Sequence, residues 1–121
     1  AAFSGVGAVT RAPAGALRRT PETRQVLEAA IAEIEAVGRA RGVNLPQDIA
    51  ARTLATIDSL PEGGTASMQR DILAGLPSEL EAQNGAVARM GKESGVPVPV
   101  NQMIYAALLP QERLARGARG A

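Results

Sequence analysis

The chain contains no cysteine, no histidine and no tryptophan, and its aromatic residues are Phe3 and Tyr105 alone. Without cysteine or histidine it cannot build a disulfide, a thiolate nucleophile, a zinc site of the usual kind or a Ser-His-Asp triad. The lack of cysteine fits a reducing, cytoplasmic compartment. Lysine occurs once, at Lys92, and the other cations are arginines; 13 basic residues against 12 acidic ones leave a net charge of +1. No global field therefore draws the chain toward nucleic acid or an anionic membrane. No apolar run approaches the roughly 18 residues of a membrane-spanning helix. The opening AAFSGVGAV is apolar, but no basic region precedes it and no cleavage pattern follows, which argues against a signal peptide. The absence of an initiating methionine reads as a truncated or processed product.

What is present points to helices. A chain of 121 residues is of single-domain size. Its hydrophobic 45% comes from Ala, Leu, Val, Ile and Met rather than from the aromatic and β-branched residues that strands favour. Thr20-Pro21-Glu22 reads as an N-cap, a first-turn proline and an early acid, opening an amphipathic helix that ends near Gly42. Leu27, Ile31, Ile34 and Gly38 mark its apolar face. A second helix begins near Pro46 and carries Ile49, Thr53 and Ile57, fading at the Pro61-Gly63-Gly64 loop. A short helix over Ser67–Ala74 follows. Ser78 with Glu81 reads as a capping box for the next helix, which Gly95, Pro97 and Pro99 terminate. A last helix runs from Asn101 to Arg116, with a frayed basic tail. No segment alternates as a strand would. The expectation is a single all-α domain over residues 1–121, a bundle of five or six helices.

Local chemistry alone is modest. GVGAVT at residues 5–10 is not a dinucleotide fingerprint, because no strand precedes it and Thr10 holds the sixth position; its glycines fit close helix approach. Ser67 reads as an N-cap beside free N–H groups, a geometry that also suits a carboxylate ligand. Glu79 reads as a first-turn acid of the helix after Ser78. Asn84 shares a stripe with Leu80, Val87 and Gly91, so its amide points into packing and needs a structural partner. Asp71 is read as structural too. Arg113, Arg116 and Arg119 would form a basic row, more in keeping with a solvated helix end than with a nucleic-acid surface.

Taken together, the stretch SMQRDILAGLPSELEAQNGAVARMGKESGVPVPVNQMIY closely resembles the C-terminal domain of ketopantoate reductases (2-dehydropantoate 2-reductases), within the phosphogluconate-dehydrogenase-like group of helical domains. Ser67, Met68, Asp71, Glu79, Asn84-Gly85, Gly95-Val96-Pro97, Pro99 and Asn101 fall on the family's pattern, and the residue 15–43 segment resembles its long helix. The resemblance implies the helical half of a two-domain enzyme whose N-terminal Rossmann half, absent from this chain, binds NADP(H). It implies reduction of a 2-oxo acid to a 2-hydroxy acid in pantothenate (coenzyme A) biosynthesis, a homodimer, and neither nucleic-acid nor membrane partners. Ser67 matches the substrate-binding serine and Glu79 the active-site acid. The second asparagine of the family's Lys-x-x-x-Asn-x-x-x-Asn pattern falls on Ser4, a shorter substrate-contacting side chain. The proton-donating lysine is expected about five residues before Ala1; Lys92 cannot replace it. The isolated chain is expected to be inactive. The alternatives are a non-catalytic helical interaction or dimerisation module and a small nucleic-acid-binding protein.

Overall fold

A computed structural model describes the backbone of residues 1–120 and the side chains of residues 1–117. The described residues form seven α-helices, α1 Ala2–Thr10, α2 Ala14–Arg19, α3 Pro21–Ala40, α4 Ile49–Asp58, α5 Ser67–Leu73, α6 Ala86–Ser94 and α7 Pro99–Gly120, with a π-helical turn at Glu81–Gly85 leading into α6. The all-α expectation holds. The count exceeds five or six because α1 and α2 are short, and glycine and alanine give them little amphipathic signature.

The core is aliphatic. Val6, Leu17, Leu27, Ile31, Ile57, Met68, Leu80 and Ile104 are buried in one cluster. The small helix α1 lies at its centre, packed against α2, α3, α5 and α7. Its glycines set the spacing. A Cβ on Gly5 would come within 2.8 Å of both Asn84 Oδ1 and Ile104 Cγ2, so α7 and the π-turn approach only because that atom is missing. Gly7 gives Gln69 of α5 the same access.

Several helix ends obey local rules. Gly75 and Gly95 take φ of 72° and 70° after α5 and α6, and the following N–H reaches back five residues, Leu76 to Asp71 and Val96 to Gly91. Pro21 opens α3 as expected, although Thr20 turns its hydroxyl back to the Ala16 carbonyl instead of capping the helix.

Other ends depend on distant carboxylates. Glu33 of α3 accepts the backbone N–H groups of Val100 and Asn101, both at 2.9 Å. An anion thus sits at the positive end of α7. α7 is longer than the sequence indicates, starting at Pro99 and continuing through Gly120 rather than fraying, and it carries Pro110 within it. The capping box at Ser78 does not form. Glu112 of α7 accepts both the Ser78 N–H and its hydroxyl, while Glu81 turns outward to Tyr105 and Arg89. No described helix is long and apolar enough to cross a membrane.

Candidate functional site

The π-turn places the polar side chains. The Gly85 N–H bonds to the Leu80 carbonyl at 2.9 Å, which fits one extra residue into the turn. Asn84 points inward and is 0% exposed. Its Nδ2 donates to Asn101 Oδ1 at 3.1 Å. Asn101 in turn donates to the Ala30 carbonyl and to Glu33. The structural reading of Asn84 is therefore correct, and the amide ties the π-turn to α7 and α3. Its Oδ1 has no hydrogen-bond partner among the described residues and rests against Gly5.

One residue earlier, Gln83 faces the start of α1. Ser4, only 6% exposed, donates its hydroxyl to Gln83 Oε1 at 2.5 Å, with the Ala1 carbonyl a second acceptor at 3.3 Å. Gln83 Nε2 donates to Glu79 Oε2 at 3.1 Å. The direction is forced: a carboxylate only accepts, so the NH2 of Gln83 must face Glu79 and its carbonyl must face Ser4. Two of the three expected site residues are thus joined in one hydrogen-bonded chain.

The linking residue, Gln83, was missed by the sequence reading. Its signal was present, because Gln83 lies four residues after Glu79, a spacing at which side chains meet on a helical face.

Two local expectations need correction. Glu79 is not the first residue of a helix; it is an exposed bend residue ahead of the π-turn. Its place is set by Ser78, which Glu112 fixes. Ser67 opens α5 but does not cap it, since Ala66 holds the N-cap position and no side chain caps the helix. The Ser67 hydroxyl is exposed and stands outside the Ser4–Gln83–Glu79 chain. Asp71 is half-buried on α5.

A second polar group flanks the π-turn. Tyr105 donates to Glu81, and Arg89 pairs with the same carboxylate at 2.8 Å. The Tyr105 hydrogen bond, with Arg89 assisting, holds the Glu81 carboxyl below its ordinary pKa. The same contact pushes the Tyr105 phenol upward. Of the basic row, Arg116 is engaged with Glu112 and the Ser78 carbonyl, and the Arg119 side chain lies outside the described residues.

No group of three or more potential metal ligands occurs among the described residues. They also contain no strand leading into a glycine-rich turn, the frame on which the Rossmann dinucleotide site is built.

Helices thus gather around a short glycine-containing helix, with hydroxyl, amide and carboxylate groups collected at one end of it. The chain belongs to the family described as ketopantoate reductase PanE/ApbA C terminal, whose model matches residues 1–112. It is 34% identical over 103 residues to a 2-dehydropantoate 2-reductase of Caulobacter vibrioides, covering 85% of this chain and 35% of that relative. The fold superposes on a PanE/ApbA family ketopantoate reductase from Ralstonia eutropha with a TM-score of 0.85 and 31% identity, covering 95% of this chain and 38% of that one. A dimeric ketopantoate reductase from Staphylococcus aureus shares the fold with a TM-score of 0.88 at 22% identity, over 94% of this chain and 40% of its own. The chain thus spans well under half the length of these relatives.

Proposed function

We propose that the protein to which this helical domain belongs reduces 2-dehydropantoate, or a closely related 2-oxo acid, to the corresponding 2-hydroxy acid, with NADPH as hydride donor, as a cytoplasmic homodimer serving pantothenate formation. The single observation that carries the reading is the Ser4–Gln83–Glu79 chain. It joins the two positions that family resemblance marks for substrate contact and for the active-site acid.

The chain's own part is to bind and orient. The exposed Ser67 hydroxyl, beside the free N–H groups that open α5, is placed to hydrogen-bond a substrate carboxylate. Ser4 adds a hydroxyl at the start of α1. Glu79, steadied by Gln83 and by the anchored Ser78, supplies a fixed carboxylate at the polar edge. The nucleotide site and the proton-donating lysine belong to parts of the protein other than these 121 residues. The isolated domain is therefore expected to be inactive.

The test follows NADPH oxidation by the full-length protein with 2-dehydropantoate and a panel of other 2-oxo acids. Glu79→Ala is expected to lower kcat/KM at least about tenfold, within the range attributed to a positioned acid–base group. Wild-type turnover in that variant would sink the assignment of Glu79, and no turnover of any 2-oxo acid by the wild type would sink the activity itself.

A further inference from the structure

A 2-oxo acid carries a carboxylate beside its ketone, and the groups of this chain proposed to receive it include no cation. Ser67 and Ser4 offer hydroxyls, Gln83 an amide and Glu79 a second carboxylate. Two carboxylates held in one site repel, more strongly as water is excluded. α5, which Ser67 opens, spans only seven residues, and the partial charge at a helix end falls short of a full counter-charge. The site therefore calls for a side-chain cation.

Arg70 stands where one is required. It follows Ser67 by three positions on α5, a spacing at which side chains share a helical face, and both residues are exposed. Helical side chains lean toward the N-terminus, and Arg70 is held in that direction. Its Nη1 donates to the Thr65 carbonyl at 2.7 Å and to the Thr65 hydroxyl at 3.0 Å. Thr65 lies two residues before Ser67, so the guanidinium is folded back to the start of the helix, level with Ser67. The anchor uses Nη1 alone. Nε and Nη2 have no partner among the described residues, and together they form an edge on which a guanidinium receives a carboxylate with two parallel hydrogen bonds. Arg70 also enters none of the ion pairs among the described residues. Asp71 follows it in sequence and is half-buried, yet the two do not pair. The cation is thus fixed in place by the loop before α5 and left with its bidentate edge open.

We propose that Arg70 receives the carboxylate of the 2-oxo acid on its Nε–Nη2 edge, while Ser67 donates its hydroxyl to the same group. Thr65 is the positioning residue that presents the guanidinium. The inference rests on the proposed 2-oxo acid activity and names the residue that reads the acid's charge. Arg70 makes the site selective for a free carboxylate over its ester, because a neutral ester gives the anchored guanidinium no anion to pair with.

The test uses the full-length protein, with steady-state kinetics on 2-dehydropantoate and calorimetric titration of the same acid and of its methyl ester. Arg70→Gln raises KM and Kd for the acid at least about tenfold, the effect of losing hydrogen bonds to a charged group. Its kcat stays within about threefold of wild type, as expected for an interaction made equally in the ground and transition states. Arg70→Lys recovers part of the lost affinity, because the charge returns without the planar fork. Affinity for the methyl ester differs between wild type and Arg70→Gln by less than about twofold, since no charge is read there. Arg52→Gln, which removes an exposed charge from α4, changes none of these values. An Arg70→Gln variant with wild-type KM and Kd for the acid overturns the proposal. So does one that loses acid and ester equally, or one that Arg70→Lys does not improve, because a structural role would not distinguish charge. If the wild type binds the acid without reducing it, the catalytic reading falls and the titrations still decide the role of Arg70. If it neither binds nor reduces any 2-oxo acid, both readings fall.

Discussion

Replacing Glu112 with alanine tests what holds Glu79 in place. The Glu112 side chain is 2% exposed and Ser78 is 6% exposed. The carboxylate accepts the Ser78 N–H at 3.0 Å and its hydroxyl at 2.7 Å. Removing it strands two buried donors, each costing about 1–3 kcal/mol. The Arg116 pair adds little, because that side chain is 54% exposed, and an exposed pair contributes less than about 1 kcal/mol. Glu112→Ala should therefore lose about 3–4 kcal/mol, nearly all of it from the two stranded Ser78 donors. Glu112→Gln keeps a carbonyl oxygen for Ser78 and gives up only the charge and one acceptor, so its loss should be about 1–2 kcal/mol. Urea unfolding followed by circular dichroism reads both values as midpoint shifts at constant slope. An alanine variant within about 1 kcal/mol of wild type would refute the reasoning, since water would then satisfy Ser78. Equal losses in the two variants would show that charge, not the acceptor, matters.

The Glu81–Tyr105 contact makes stability depend on pH at both ends. The Glu81 carboxyl is lowered in the fold, chiefly by Tyr105, so its contribution is complete above the ordinary carboxylate pKa of about 4.3 and is lost as pH falls through the lower folded value. The Tyr105 phenol is raised, so its contribution is complete below about 10 and is lost as pH rises through the folded value. Glu81→Gln should flatten both limbs of a plot of urea midpoint against pH, and unchanged limbs would refute the assignment. Ser4→Asn should destabilise the domain by about 1–3 kcal/mol through overpacking, and Ser4→Asn with Gln83→Ala should recover part of that loss. A double-mutant cycle reads the coupling, and additive losses would show that the two side chains do not compete for space.

Features decided by neighbours in sequence were legible in sequence. The ends of α5 and α6 follow from Gly75 and Gly95, where only glycine adopts the left-handed turn without strain. The start of α3 follows from Pro21. What escaped depended on distant residues. Ser78 and Glu81 have the spacing of a capping box, but a carboxylate 34 residues away takes both Ser78 donors. Glu33 looks like surface decoration on α3, yet it caps a helix that begins 66 positions later in the chain. The π-turn cannot be read from periodicity, because its extra residue is held by Asn84 reaching Asn101 and by the close approach at Gly5. For the candidate site, the types and spacing of Ser67 and Glu79 were visible only through family resemblance, and their local roles were misread. The local pattern makes Glu79 a helical first-turn acid and Ser67 a cap, whereas Glu79 lies ahead of the π-turn and no side chain caps α5.

Ser4 and Gln83 show how a shorter side chain can keep the polar edge continuous. By the resemblance, the family pattern has asparagine at the position of Ser4, and a serine hydroxyl ends one bond sooner. Alone it could not bridge to Glu79. The π-turn swings Gln83 toward α1, and the glutamine spans the interval, its carbonyl on Ser4 and its NH2 on Glu79. Because the hydroxyl proton is committed to Gln83, Ser4 would meet a further group at this edge as an acceptor first, whereas an asparagine would present its own N–H groups. Under the proposed function, a Ser4 hydroxyl that accepts first would favour a substrate group with a proton to give, such as a hydroxyl, over a carboxylate, which only accepts. The relative turnover of 2-oxo acids with and without a neighbouring hydroxyl group is where that difference should register.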